Sequence, residues 1–388
     1  MDRRKFLSVS ATFTSGALIL PNFLFALKNQ NFTNTNSGSL IFIQLNGGND
    51  GLNTFIPFDD PLYKILRPNI GFDKDAVINK TNGMGFHPIL KGISNIQQNG
   101  DLSVIQNVGY PEPNRSHFRS QEIWQTASNS TEYLNHGWLG RYLDIQCKDH
   151  LPTAGINIDT IDSLSLKGEE PNFITVKNLN QFKQREADND VVNLSGNPQL
   201  DFARKISFTV SEGAEEIQKA LKQSKTEISY PKTDLSSKME WIARLIKGNL
   251  NSKVYYTSLN GFDTHNNQFA IHKNKLKELD EAVTAFYNDL KNAKLLEQTT
   301  IVIFSEFGRR VKDNGSGTDH GTAAPMIIIG GNNKGIVYGD NPDLQNLDHG
   351  DLIYKTDFRS VYASLLKDKM HFNPKDIGLH NAAINGLF

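Results

Sequence analysis

Cysteine is almost missing from this sequence, because Cys147 is the single cysteine among 388 residues. One thiol cannot form an intramolecular disulfide, and it cannot build a cysteine-rich zinc site. If the protein binds a metal, its ligands must therefore come from histidine, aspartate and glutamate.

An excess of charge of one sign is missing too. The 41 Lys and Arg residues nearly balance the 42 Asp and Glu residues, which leaves a formal net charge of −1. Without a basic excess, the composition argues against nucleic acid and against an anionic membrane surface as partners. No run approaches the roughly 20 apolar residues of a membrane-spanning helix. Only an uncleaved signal could then anchor the chain in a membrane.

The N-terminus carries the pattern of an export signal. Arg3 and Arg4 precede Phe6-Leu7, a weakly apolar run covers residues 9–20, and Ala26 offers a small residue for cleavage. This order predicts a secretory signal, and the paired arginines specify the twin-arginine export machinery. We predict a signal over residues 1–26, a linker over 27–39, and a final location in the periplasm or outside the cell. A chance arginine pair on an amphipathic helix is the alternative.

Short apolar runs alternate with amphipathic segments along residues 40–388. This alternation predicts a single α/β domain, whose central and mostly parallel sheet is sandwiched by helices. The polar region 168–237 is expected to be an insertion or cap. The runs that predict strands are residues 40–45, 102–106, 172–176, 254–259, 299–304 and 326–329, and the predicted helices are residues 200–221, 235–245 and 275–290.

Acidic and histidine side chains cluster around the ends of these predicted strands. Ligands of open parallel α/β sheets bind beyond the carboxyl ends of the strands. Carboxylates and imidazoles without cysteine suit one or two divalent ions, zinc foremost, with manganese, calcium and magnesium as alternatives. The candidate metal ligands are Asp50, Asp263, His265, Glu306, Asp319 and His320.

Each candidate also has a simpler structural interpretation. Asp50 could form an Asx-turn in its Gly-rich loop, and Asp263 could cap the helix that follows. Glu306 could pair with one of the two arginines that come shortly after it, and the last pair could be ordinary loop residues. Their shared position near strand ends favours the metal site.

A second group of polar residues, Pro111 to Ser120, stands between a predicted strand and a helical segment. Ser116 could simply cap that helix. Alternatively, Ser116 is a nucleophile aimed at an anion that Arg115 and the helix N-terminus hold. Among the remaining histidines, His136 and His349 are further candidates.

Five segments together resemble family 1501 of the domains of unknown function. The resemblance spans nearly the whole mature chain, and the family is typically exported by the twin-arginine route. It is grouped with the alkaline phosphatase superfamily, which implies an alkaline-phosphatase-like fold and metal-dependent chemistry on phosphate or sulfate esters. The segments are residues 46–53, 109–120, 261–265, 304–309 and 317–325.

The resemblance also implies roles for particular residues. It makes Asp50, Asp263, Glu306 and His320 similar to the superfamily's metal ligands and places Ser116 where its nucleophile would be. The superfamily usually has a histidine where this chain has Phe307. One ligand is then either lost or supplied from elsewhere, and His117 is the candidate.

The resulting hypothesis is an exported metal-dependent hydrolase of phosphate or sulfate esters, with a small-molecule or glycan ester as substrate. The alternative is an inactive fold of this kind that serves as an exported binding or assembly protein. The Cys/Ser-x-Pro-x-Arg string of formylglycine sulfatases is absent. The phosphate-binding loop, the His-Glu-x-x-His motif and the Gly-x-Ser-x-Gly elbow are absent as well.

Overall fold

The computed structural model describes residues 38–147, 152–179 and 212–388. The predicted signal over residues 1–26, residues 27–37 of the predicted linker, and residues 200–211 of the helix predicted over 200–221 lie outside these ranges. Among the described residues, none of the helices has the length and apolar character needed to cross a membrane. The strands are β1 (Ser39–Asn46), β2 (Phe55–Ile56), β3 (Ile78–Thr81), β4 (Met84–Phe86), β5 (Leu102–Gly109), β6 (Gly155–Ile158), β7 (Phe173–Thr175), β8 (Val254–Asn260), β9 (Thr299–Phe304), β10 (Ala324–Gly330), β11 (Val337–Tyr338), β12 (Leu347–Asp348), β13 (Asp351–Leu352) and β14 (Thr356–Asp357).

Helices connect most of these strands. They are α1 (Gly51–Thr54), α2 (Pro61–Leu66), α3 (Lys91–Gln98), α4 (His117–Thr126), α5 (Trp138–Gln146), α6 (212–223), α7 (Asp234–Lys247), α8 (Gln268–Asn292) and α9 (Phe358–Ser364).

The central sheet has nine strands in the described part of the chain. Their order is β11-β5-β10-β9-β1-β8-β6-β7, and β14 pairs with β5. Every pairing is parallel except the two that β10 makes with β5 and β9. The predicted fold class, a mostly parallel central sheet between helices, is confirmed.

Alternating side chains of the strands feed two hydrophobic layers, because successive residues of a strand point to opposite faces. On β1, Ile41, Ile43 and Leu45 pack on one face with α3, α7 and α8. Leu40 and Phe42 pack on the other face with α4, α5 and α9. Both faces of the sheet are therefore buried, as expected of a parallel sheet.

The six predicted strands agree with β1, β5, β7, β8, β9 and β10 to within three residues at either end. β6 is an addition, since its four residues, with Asn157 in the middle, give no apolar run. The region 168–237 contributes β7 to the sheet and the start of α7, while residues 180–211 lie outside the described part.

Candidate metal centre

The loops that carry the predicted site residues meet at one end of the central sheet, beyond the carboxyl ends of its parallel strands. β1 and β8 run in parallel with Asn46 opposite Asn260, and β9 flanks β1 on its other side. The loops that follow these three strands therefore leave the sheet at the same end. β10 runs antiparallel to β5, with Ala324 opposite Val108, so the residues that precede β10 lie at the same end of the sheet.

Three histidines and one aspartate meet there. Asp263 Oδ1 lies 3.0 Å from His265 Nε2 and 3.1 Å from His320 Nε2. The second oxygen, Asp263 Oδ2, lies 3.5 Å from His117 Nε2. The Nε2 atoms of His265 and His320 are themselves 3.1 Å apart. We call His117, Asp263, His265 and His320 the metal cluster.

The Nδ1 atoms of the histidines face away from this centre, toward hydrogen-bond acceptors. His117 Nδ1 lies 2.9 Å from Glu306 Oε1, and His265 Nδ1 lies 3.0 Å from Asp319 Oδ1. An ionised carboxylate only accepts hydrogen bonds, so Nδ1 carries the hydrogen in both rings. Partners of this kind fix the tautomer and orientation of metal-binding histidines.

His320 completes the same pattern with a backbone partner. Its Nδ1 lies 2.8 Å from the carbonyl oxygen of Arg115, which also only accepts. All three rings therefore direct an Nε2 lone pair toward the carboxylate of Asp263. Lone pairs and a carboxylate repel one another unless a proton or a cation lies between them.

His117 shows this conflict most directly. Its Nε2 is buried and has no hydrogen-bond partner among the described residues. Leaving a buried polar atom unsatisfied costs about 1–3 kcal/mol. The hydrogen bond to Glu306 raises the pKa of His117 above its usual value, so the ring binds a proton more readily than a free imidazole does.

Several distances in the metal cluster are close to those between the ligands of a zinc ion. Zinc–nitrogen bonds of about 2.0–2.1 Å place neighbouring ligand atoms about 3.3 Å apart in a tetrahedron. Four separations in the metal cluster, of 3.0, 3.1, 3.1 and 3.5 Å, lie close to this value. One ligand atom from each of His117, Asp263 and His320 lies within 4.8 Å of the other two. Three imidazoles and one carboxylate favour zinc or manganese over calcium and magnesium.

Arg309 holds the loops around the metal cluster. Its guanidinium is buried and donates to the carbonyl oxygens of Gly48, Phe262 and Thr318, and to Asp263 Oδ1 at 2.7 Å. Burial raises the pKa of Asp263, but its interactions with Arg309, His320 and His117 together outweigh burial and lower that pKa overall. Asp263 is therefore held as a carboxylate and does not cap a helix.

Glu306 lies behind the metal cluster. It is fully buried and accepts from the backbone N–H of Gly47 at 2.9 Å and the hydroxyl of Ser305 at 3.0 Å, besides His117. These partners reach both oxygens, and Glu306 orients the ring of His117 through Nδ1. The predicted ligand role of Glu306 stays a prediction. The expected alternative, a pair with a following arginine, is not among its hydrogen bonds in the described residues.

Asp50 has a different set of partners from the metal cluster. Arg67 Nη1 lies 2.6 Å from Asp50 Oδ2, both side chains are fully buried, and Gln268 Nε2 donates to the same oxygen. Burial raises the pKa of Asp50, but the charge and hydrogen bond of Arg67, together with the charges of His272 and Arg309, outweigh burial and leave the pKa below its usual value. The guanidinium thus occupies the place next to Asp50 where the sequence predicted a metal ion. The ligand role of Asp50 stays a prediction.

Ser116 stands at the N-cap of α4, immediately before His117. Its side chain is exposed and makes no capping hydrogen bond. The hydroxyl is therefore not consumed by the capping role that the sequence also allowed. Arg115 pairs with the buried carboxylate of Asp351, and within the described part of the chain its other side-chain N–H groups have no partner and can bind an anion.

Phe307 forms the floor beneath two of the histidine rings. Its ring centroid lies 4.9 Å from that of His117 and 4.9 Å from that of His320. Gly48 permits this packing, because a Cβ there would lie 2.3 Å from Phe307 Cε2. His117, from α4, brings an imidazole to the place where Phe307 offers none.

Two further histidine candidates lie elsewhere. His136 supplies its carbonyl oxygen to Arg141, and His349 is almost fully exposed beside Asp348. Neither has a contact with the metal cluster among the described residues.

Sequence reasoning missed three side chains at this end of the sheet, namely Arg67, Gln268 and Arg309. Arg309 follows the end of β9 almost as closely as Glu306 does, and that position was an available signal. Arg67 and Gln268 sit on or next to helices, where no local pattern distinguishes a buried arginine or glutamine from an exposed one.

Comparison with known proteins adds a family match. The model of the family described as protein of unknown function (DUF1501) matches residues 103–371, a range that includes every member of the metal cluster. No curated protein matches the chain by sequence.

Several solved structures resemble the chain at low identity. Ps i-CgsB in complex with k-i-k-neocarrahexaose is 11% identical at a TM-score of 0.44, covering 89% of this chain and 75% of that one. The zinc complex of the C-terminal periplasmic domain of EcEptC from Escherichia coli is 10% identical at 0.37, covering 76% and 73%. A protein in the alkaline phosphatase superfamily from Vibrio parahaemolyticus is 8% identical at 0.36, covering 78% and 62%.

Proposed function

The chain belongs to the DUF1501 family of proteins of unknown function, and we propose that it is an exported, zinc-dependent hydrolase of phosphate or sulfate esters. One observation carries this proposal. Three imidazoles, each oriented by an acceptor at Nδ1, direct Nε2 toward the carboxylate of Asp263. Open parallel sheets bind their ligands beyond the carboxyl ends of the strands, so this end of the sheet is the proposed active site.

The proposed ligands are His117, Asp263, His265 and His320, and they hold one ion. Arg67 already balances the charge of Asp50 through Oδ2, while the buried Oδ1 has no hydrogen-bond partner among the described residues. When bound, a zinc ion supplies positive charge that polarises the ester and makes a nearby nucleophile more acidic.

The chain's own groups would bind and orient the substrate. Ser116 presents an unengaged hydroxyl at the start of α4, one residue from a ligand, and is the proposed nucleophile. The N–H groups of Arg115 that Asp351 leaves free would bind the ester's anionic oxygens. Water is the other candidate nucleophile.

Metal content and turnover test this function together. Purified protein stripped with a chelator and reloaded should hold one zinc per chain and hydrolyse members of a panel of phosphate and sulfate esters. Asp263→Asn should lose the zinc and at least about 100-fold in turnover, as expected when a main electrostatic group is removed. Asp162→Asn is the control, because that aspartate is exposed and pairs with Lys177, far from the proposed ligands in the chain.

The nucleophile needs a separate variant. Ser116→Ala should abolish turnover while leaving zinc content unchanged, whereas unchanged turnover would assign the attack to water. A protein that takes up no zinc would instead favour the alternative, an inactive fold that serves as a binding or assembly protein.

Export is proposed from the sequence alone, since residues 1–26 lie outside the described part. Replacing both Arg3 and Arg4 by lysine should leave the protein in the cytoplasm, because the paired arginines are the address. Cell fractionation measures this directly, and equal periplasmic or extracellular amounts of the two proteins would contradict twin-arginine export.

A further inference from the structure

A pocket opens next to the metal cluster, on the other side of Phe307. Its volume is ≈ 140 Å³. Phe307 both lines this pocket and packs against the rings of His117 and His320, so the two sites share one side chain. The apolar side chains of the lining are those of Tyr110, Pro113, Phe307, Leu352, Ile353 and Tyr354.

Backbone contacts hold the far wall of the pocket in place. Lys355 donates its backbone N–H to the carbonyl oxygen of Asn107 at 2.9 Å, which fixes the chain next to Tyr354. Gly109 allows Tyr354 to come close, because a Cβ at Gly109 would lie 2.7 Å from Tyr354 Cβ. The pocket is therefore formed before a ligand arrives, as small-molecule sites usually are.

The size and chemistry of the pocket suit a flat apolar ring. A cavity of about 150 Å³ lined by apolar side chains is known to accept benzene. The polar side chains of the lining are Glu112, Thr322 and Asp348, and the hydroxyl of Thr322 already donates to the Leu352 carbonyl. The hydroxyls of a sugar would find few partners here, and each unpaired one costs free energy.

Charge adds a second restriction. Glu112 and Asp348 are exposed acidic residues of the lining, so they repel an anionic substituent on the ring. Arg115, by contrast, stands one residue from Ser116 and offers positive charge to the reacting group. The two sites thus distinguish the charged end of a substrate from its uncharged end.

We propose that this pocket binds an uncharged aromatic ring in the alcohol part of the substrate, so that the enzyme prefers aromatic over aliphatic or sugar esters. This inference rests on the proposed ester hydrolysis at the metal cluster. It assigns Phe307, Ile353 and Tyr354 as specificity-determining residues.

Two esters with chemically similar leaving groups test the preference. Benzyl and ethyl esters of the same acid both release a primary alcohol, so the rates of their hydrolysis differ mainly through binding of the ring. The zinc-loaded protein should show a kcat/KM at least about 10-fold higher for the benzyl ester, as expected when one apolar group is accommodated. A sugar phosphate should resemble the ethyl ester.

A charge placed in the pocket should remove this preference. Ile353→Asp is suited to the purpose, because Ile353 is 43% exposed and its replacement leaves the core intact. The benzyl-to-ethyl ratio should fall toward one in this variant. Ile145→Asp is the matched control, since Ile145 is a 36% exposed isoleucine of α5 outside the pocket lining.

Binding of benzyl alcohol to the metal-free protein, followed by saturation-transfer NMR, gives a readout that needs no turnover. We expect binding to the wild type and to Ile145→Asp, and loss of binding in Ile353→Asp. Benzyl alcohol that binds in this pattern while no ester is hydrolysed would support the ring pocket and reject the proposed function. Ester turnover without ring binding, or with a sugar phosphate preferred, would overturn the ring pocket and leave the hydrolase standing.

Discussion

Glu306 influences the metal cluster through a hydrogen bond to His117, so its replacement tests how a ligand is oriented. Glu306→Gln keeps the volume of the side chain but exchanges one acceptor oxygen for an N–H₂ group. His117 and Gly47 share Oε1, so the amide either keeps both as hydrogen bonds without the charge and loses the acceptor that Ser305 uses, or loses both. We expect zinc affinity to fall about 10–100-fold, the usual effect of removing such a partner. Competition with a chromophoric chelator measures it.

Asp319→Asn is the matched comparison, because Asp319 holds His265 as Glu306 holds His117 but is largely exposed. Solvent screens an exposed pair, so the loss of zinc affinity should be smaller. Wild-type affinity in Glu306→Gln would contradict the orienting role. Thermal unfolding of the metal-free variants checks that the fold is retained.

His272 gives the fold a dependence on pH. It is buried with Nε2 2.9 Å from Asn49 Oδ1, and burial lowers its pKa from 6.5 to about 4. Between these two pH values the unfolded chain binds more protons, so stability falls as the pH drops through this window. The full crossing costs roughly 3 kcal/mol. Urea unfolding of metal-free protein between pH 7 and about 4 measures the change.

His272→Asn should reduce this slope without abolishing it, because burial also lowers the pKa of His87, to about 3, and His87 acts in the same direction. His349→Asn should keep it, because His349 is almost fully exposed. An unchanged slope in His272→Asn would mean that another group carries the dependence.

The predicted positions of several side chains agree with the structure because strand ends place them. Asp263 and His265 follow β8, and His320 precedes β10, so strand direction alone brings them to the same end of the sheet. The contribution of His117 depends on where α4 starts and how it is turned, which no local pattern specifies. The hydrogen bond of Glu306 to His117 also escaped the sequence, because it depends on the same placement of α4.

The loop after β1 depends on a glycine for its path. Gly48 has φ +77°, and a Cβ there would lie 2.3 Å from the Phe307 ring, which packs on two histidines of the metal cluster. Gly48→Ala should lower the free energy of unfolding through both backbone strain and the clash. Overpacking of this kind typically costs about 1–3 kcal/mol, and urea unfolding measures it.

Gly100→Ala separates the two causes. Gly100 has φ +83°, yet a Cβ there would meet nothing within 4 Å. Its cost should be the backbone strain alone, about 1 kcal/mol. Zinc affinity should fall in Gly48→Ala and remain unchanged in Gly100→Ala. Equal stability losses in the two variants would show that Phe307 moves aside freely.

Elements with continuous apolar runs were the predictable part of the fold. β9 agrees at both ends because residues 299–304 are buried on both faces and flanked by polar residues. β6 was missed because it is four residues long and carries Asn157, whose amide donates to the Ile161 carbonyl at 2.8 Å. The tertiary partner of that asparagine makes it compatible with a buried strand, and the sequence does not show the partner.

Across the whole molecule, the class of fold followed from the alternation of strands and helices, while the long-range pairs did not. Arg67 and Asp50 illustrate this, since each is an ordinary charged residue until the fold buries both. Arg67 also donates to the carbonyl oxygens of Arg310 and Val311, so it joins the loop after β1, the end of α2 and the loop after β9.

The pair can be tested by removing one charge and then both. Arg67→Met leaves Asp50 as a buried carboxylate without its cation, which typically costs about 3–5 kcal/mol. Combining Asp50→Asn with Arg67→Met removes both charges, so the double variant should recover part of that loss when unfolded in urea. Zinc content should remain one per chain in the double variant, because the metal cluster is separate from this pair. A double variant that is no more stable than Arg67→Met would show that the hydrogen bonds of Arg67 to the backbone, rather than its charge, hold these loops together.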